Sequence, residues 1–175
     1  MHANFTHLFF NMFALWMFGK VLENVWGGKR FLIYYMITAI GAAALHLVVS
    51  QYQIYNIASE APAMLDLAKE GMYNPANNTS LRLTQLVTTP TVGASGAVFG
   101  ILLAFGMLFP NTLLYIYFAV PIKAKYFVIL YGLLELYAGL SNNPADNVAH
   151  FAHLGGMLFG FILLKYWQKN NTQFY

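Results

Sequence analysis

Five apolar runs set the limits of what this chain can become. They occupy residues 5–21, 31–49, 95–109, 122–140 and 148–166. The second contains one ionisable side chain, His46, in nineteen residues. Runs of this length are the pattern of membrane-spanning helices. Composition supports that reading, because only 9% of the residues are charged and 59% are hydrophobic. Soluble domains carry roughly 25% charge, so this chain has too little to cover a water-facing surface. The expected fold class is all-α, a polytopic helical membrane bundle in a single domain over residues 1–175. There is no cysteine, hence no disulfide framework and no thiolate chemistry. The net charge of +3 comes without a basic tract, which speaks against nucleic-acid binding. Met1-His2-Ala3-Asn4 has neither a basic n-region nor a small-residue cleavage site, so insertion is expected to rely on the spans themselves.

The polar breaks differ in kind. Residues 22–30 form a short loop around Gly27-Gly28. Residues 51–90 are too long for a tight connection and are expected to be an extramembrane loop with structure of its own. A short surface helix over Ala61–Met72 is expected there, with Pro62 in its first turn and Lys69 near its end. Leu113–Val120, bracketed by Pro110 and Pro121, is too short to cross a bilayer and reads as an interfacial or re-entrant piece. Residues 141–147 read as a polar turn. With five alternating spans, Lys20, Lys29, Arg30, Lys123, Lys125, Lys165 and Lys169 fall on one side. That side is expected to be cytoplasmic.

Gly93-Ala94-Ser95-Gly96 opens the third run. A serine there is either an N-cap before a core helix or a nucleophile beside free backbone N–H groups. Depth favours the second reading. At about 1.5 Å per residue, Ser95 stands roughly 21 Å above Phe109, His7 roughly 20 Å above Lys20, and His153 roughly 18 Å above Lys165. Three polar groups from three helices thus meet at one level in a hydrocarbon core about 30 Å thick. Polar groups at such depth usually face the bundle interior. His7 and Asn11 share a helix face, either as interhelical glue or as donors aimed at one point. His150 and His153 also have the spacing of a metal pair. Against metal stand the lack of cysteine and of a carboxylate at that depth, with Glu135 placed in the fourth span and Asp146 nearer the surface. No cofactor or metal is expected, and His46 is given no role. Gly96-x-x-x-Gly100 and Gly156-x-x-x-Gly160 form small faces that allow close helix approach. They are expected to bring Ser95 and His153 within hydrogen-bond reach, with Phe99 packing its ring on the His153 imidazole.

In family order, these residues resemble the rhomboid family of intramembrane serine proteases. His2-x4-His7-x3-Asn11 resembles the motif of the family's second transmembrane helix. Gly93-Ala94-Ser95-Gly96 resembles its GxSG nucleophile motif, and Ala152-His153-Leu154-Gly155-Gly156 its AHxxG motif. GxSG alone is shared with soluble hydrolases, whereas the three together are specific. The resemblance implies a Ser95–His153 dyad without an acid. It implies an oxyanion held by Asn11, His7 and the Ser95 N–H, and support from His2, Gly93 and Phe99. It implies substrates that are transmembrane proteins, and a cap over the site formed by the 141–147 turn. The family core has six spans and this chain shows five, so the family's first helix is expected to be missing. The expected location is a multi-pass one in a bacterial inner membrane. Two rival readings are a non-proteolytic rhomboid-like protein that binds transmembrane clients, and a metal or haem membrane protein.

Overall fold

Each apolar run becomes a helix, because a backbone in hydrocarbon must satisfy its own hydrogen bonds. The computed structural model describes residues 5–74, 76–88, 94–116, 119–141 and 149–170. Helix α1 covers Phe5–Trp26, with one turn of π-helix at Leu15–Gly19. Gly27 ends it with φ of 78°, a conformation open to glycine, and α2 (Gly28–Glu60) starts at once. Two short helices follow, α3 (Pro62–Lys69) and α4 (Asn78–Thr88). Helix α5 (Ser95–Leu108) leads to an antiparallel hairpin of β1 (Leu113–Ile116) and β2 (Val120–Lys123). Helices α6 (Ala124–Ser141) and α7 (His150–Asn170) complete the described chain.

Helix α5 is the central post. Ten of its fourteen residues are buried, so it presents almost no face to the surroundings. It packs against α2, α6, α7 and the α1 turn, and the core around it includes Phe18, Leu22, Tyr34, Phe105 and Leu164. Its length of roughly 21 Å is less than a bilayer core, which a helix wrapped by longer neighbours tolerates. Among the described residues, helices α1 and α2 are long and apolar enough to cross a membrane by length and composition. The outer faces carry Phe5, Phe10, Trp16, Ile40, Leu133 and Tyr137 in the open, as a lipid-facing surface does.

The α2–α5–α7 contact is made of small residues and backbone. A Cβ built on Gly156 collides with the Gly96 carbonyl, so α5 and α7 touch main chain to main chain. A Cβ on Gly100 meets Thr38 Cγ2 at 2.6 Å and the Gly156 carbonyl oxygen at 3.0 Å. Tyr34, fully buried, donates its hydroxyl to the Gly100 carbonyl at 2.9 Å and ties α2 to the same place. Thr38 satisfies its hydroxyl locally on the Tyr34 carbonyl at 2.9 Å, which leaves its methyl for packing.

Three expectations meet the structure here. The stretch 51–90 has the structure of its own expected of it, and among the described residues it is largely helical. Helix α2 runs on to Glu60, where apolar residues such as Ile54 and Ile57 keep the helix supplied with an inner face. The expected surface helix is there, eight residues long, and packs with α4 around Ala68 and Leu83. Asn77 caps α4, its Oδ1 accepting from the N–H groups of Thr79 at 2.9 Å and Ser80 at 3.2 Å. The segment after Pro110, expected as an interfacial or re-entrant piece, is a β-hairpin, with Leu113 opposite Lys123 and Tyr115 opposite Pro121. A two-stranded ribbon has only edge strands, so Pro121 is tolerated there. Finally, the turn expected at 141–147 begins at the last residue of α6, and its residues 142–147 lie outside the described residues.

Gly156→Ala forces a methyl into the Gly96 main chain, and overpacking of this kind costs about 1–3 kcal/mol. Thermal unfolding in detergent should show that loss. Full retention of melting temperature would show that α5 and α7 stand farther apart than described.

Candidate active site

Ser95 is the first residue of α5, and His153 lies one turn inside α7. The glycine contact just described sits one residue beyond Ser95 and three beyond His153, so it fixes the distance between their side chains. Ser95 Oγ and His153 Nε2 are 2.9 Å apart, and the residues are only 4% and 6% exposed. A hydroxyl and an imidazole held this way, away from bulk water, have the geometry that an activated nucleophile and its base require.

The ring of Phe99, one turn along α5 from Ser95, stacks on the His153 imidazole with centroids 4.0 Å apart and planes 6° apart. Tyr131 of α6 stacks on the other side of Phe99 at 5.3 Å, and Phe127 on Tyr131 at 5.5 Å. This pile of rings fixes the tilt of His153 from α5 and α6 together.

The expectation that no carboxylate lies at the depth of His153 is overturned. Glu135 of α6 places Oε2 2.8 Å from His153 Nδ1 and 2.7 Å from His150 Nδ1. The Glu135 and His150 side chains are each 12% exposed and His153 is 8%. Glu135 stands twelve residues above Lys123, roughly 18 Å, the same step as His153 above Lys165, so the rung count places the two at one level. The available signal was Glu135 itself, the one acid in an apolar run, which in a membrane segment marks a functional site by default. The three side chains also offer ligand atoms within 4.8 Å of one another, the disposition that could hold a metal ion. The argument against a metal pair from a missing carboxylate therefore no longer stands.

Asn11 is buried at 6% exposure on α1, which packs against α5. Its Nδ2 donates to the His7 carbonyl at 2.7 Å, and the amide carries a second N–H. His7 is half-buried one turn before it. At the start of α5, Val98 N–H donates to the Ala94 carbonyl at 3.1 Å. The N–H groups of residues 95–97 precede that bond, as at any helix N-terminus. His2 and Gly93 lie outside the described residues. His46 stands 3.5 Å from Ser50 Oγ, one turn further along α2.

Comparison with known proteins gives the family of the chain. The Rhomboid domain model matches residues 1–169. Rhomboid protein 1, mitochondrial, of Saccharomyces cerevisiae is 29% identical over 161 residues, which is 92% of this chain and 38% of that protein. Rhomboid protease AarA of Providencia stuartii is 30% identical over 167 residues, 93% of this chain and 51% of that protein. RHOMBOID-like protein 12, mitochondrial, of Arabidopsis thaliana is 29% identical over 160 residues, 89% of this chain and 40% of that protein. The chain thus spans about half, or less, of the length of these relatives. No solved structure matches it. A family model that accounts for residues 1–169, over a bundle with Ser95 and His153 joined at its centre, makes the chain a member of the rhomboid family.

Proposed function

We propose that this chain is the proteolytic core of an intramembrane serine protease acting on transmembrane proteins. The observation that carries the reading is the buried 2.9 Å contact between Ser95 Oγ and His153 Nε2. The chain's similarity to the rhomboid protease AarA of Providencia stuartii supports it. A client-binding protein without proteolysis has no use for such a pair, and burying both groups costs desolvation free energy. Membership of the rhomboid family also makes this an integral membrane protein. Its relatives include two named as mitochondrial, so the expectation of a bacterial inner membrane draws no support from them.

In the proposed reaction, His153 Nε2 takes the Ser95 proton as Oγ attacks the scissile carbonyl. The carbonyl oxygen becomes an oxyanion, held by the Ser95 N–H, the Asn11 side-chain amide and His7. The C–N bond then breaks, His153 protonates the leaving amine, and water hydrolyses the acyl-enzyme with His153 again as base. A substrate helix must unwind to offer a peptide bond, so segments weakened by Gly or Pro are the favoured targets.

Ser95→Ala and His153→Ala should each abolish cleavage of a model transmembrane substrate in proteoliposomes while the protein stays folded. A fluorophosphonate probe should label wild type at Ser95 and leave Ser95→Ala unlabelled. Cleavage by Ser95→Ala at the wild-type rate would refute the mechanism. Asn11→Ala should lower kcat by about 10²–10³ with little change in KM, because the bond strengthens only as charge develops. Glue between helices predicts another outcome, a less stable protein whose folded fraction turns over normally.

A further inference from the structure

The acid-bearing cluster behind His153 goes beyond a two-residue mechanism. Glu135 Oε2 lies between the Nδ1 atoms of His153 and His150, at 2.8 and 2.7 Å. A carboxylate buried among apolar helices is costly unless donors surround it, and here two imidazoles converge on one oxygen. An ionised carboxylate only accepts. Both Nδ1 atoms therefore carry protons, which leaves Nε2 of neutral His153 bare. Ser95 then donates its hydroxyl to Nε2 across 2.9 Å, the orientation a general base requires. The Phe99 stack sets the tilt of the ring, and Glu135 sets which nitrogen is protonated. Neither could do the other's part, since a phenyl face holds no Nδ1 proton.

We infer that Glu135 is a positioning residue for His153, making the site a Ser95–His153–Glu135 relay in which the carboxylate fixes the tautomer and stabilises the imidazolium. This rests on the protease reading above. When Oγ bonds to the substrate carbon, its proton passes to Nε2 and the carbonyl electron pair passes to oxygen. His153 then carries protons on both nitrogens, and Glu135 stays ionised against Nδ1–H. When the C–N bond breaks, the Nε2 proton goes to the amine and the neutral Nδ1–H tautomer returns. His150 holds the same oxygen from α7, one turn before His153, and keeps the carboxylate from swinging away.

Glu135→Gln is nearly isosteric and can still bridge α6 and α7, but it lacks charge and can donate to Nδ1, favouring the wrong tautomer. Its kcat per folded molecule should fall by about 10²–10⁴ with KM little changed, as when the acid of a serine-protease triad is neutralised. Glu135→Asp should recover part of the loss. In protein labelled with ¹⁵N-histidine, wild-type His153 should show the Nδ1–H tautomer and a strongly downfield N–H proton, and both should be lost in Glu135→Gln. Three results would overturn the inference: Glu135→Gln with wild-type kcat per folded molecule, an Nε2–H tautomer in wild type, or wild-type activity abolished by a chelator and restored by zinc. The last would make Glu135, His150 and His153 a metal site instead. A wild type that neither cleaves nor takes the fluorophosphonate would remove the protease reading, while the tautomer measurement still decides the part of Glu135.

Discussion

The Gly96 carbonyl lies so near Gly156 that no side chain fits between α5 and α7. In lipid, helices gain little from hydrophobic association, so van der Waals packing and interhelical hydrogen bonds hold the bundle together. Backbones brought into direct contact use the first to the full, and the Tyr34 bond to the Gly100 carbonyl supplies the second. Everything at the site inherits its precision from this seam. Ser95 and His153 sit just beyond the glycines, on segments whose relative position is set by main-chain atoms rather than by flexible side chains.

Around that seam, the polar groups of the site engage one another. Ser95 reaches His153, His153 and His150 reach Glu135, and Asn11 reaches the His7 carbonyl. The aromatic pile of Phe99, Tyr131 and Phe127 forms an apolar wall on one side of His153. In so dry a setting an unpaired polar group is expensive and a paired one is strongly oriented. Orientation of this kind is what general-base chemistry needs, since the ring must present a bare nitrogen to the hydroxyl.

The region between Gln51 and Thr88 and the hairpin after Pro110 show how far local patterns reach. Pro62 and Lys69 marked a short helix in 51–90, whereas the continuation of α2 to Glu60 and the packing of α3 on α4 about Ala68 and Leu83 were not marked. Polarity reports exposure to water, not the lack of helix. Leu113–Val120 is a short apolar run, and such runs do not distinguish strand from helix by periodicity. What decides for strand is the pairing with Val120–Lys123, a partner that only the folded hairpin supplies.

The apolar runs and glycine motifs determined a good deal by themselves. Hydrocarbon demands helices wherever 15 to 20 apolar residues follow one another, and small-residue faces demand close contact, so Ser95, His153 and Phe99 could be placed together from spacing alone. Glu135 is a different case. It stands twelve residues above Lys123, the same roughly 18 Å as His153 above Lys165, so its depth was legible. Its partner was not. Which neighbour a helix turns a side chain toward depends on how the helix is seated, and α6 is seated by the hairpin and by Ala124 N–H bonding to the Thr112 carbonyl at 2.8 Å. The tertiary structure therefore decided that Glu135 meets His153 and His150, because only packing sets the rotation of α6 against α7.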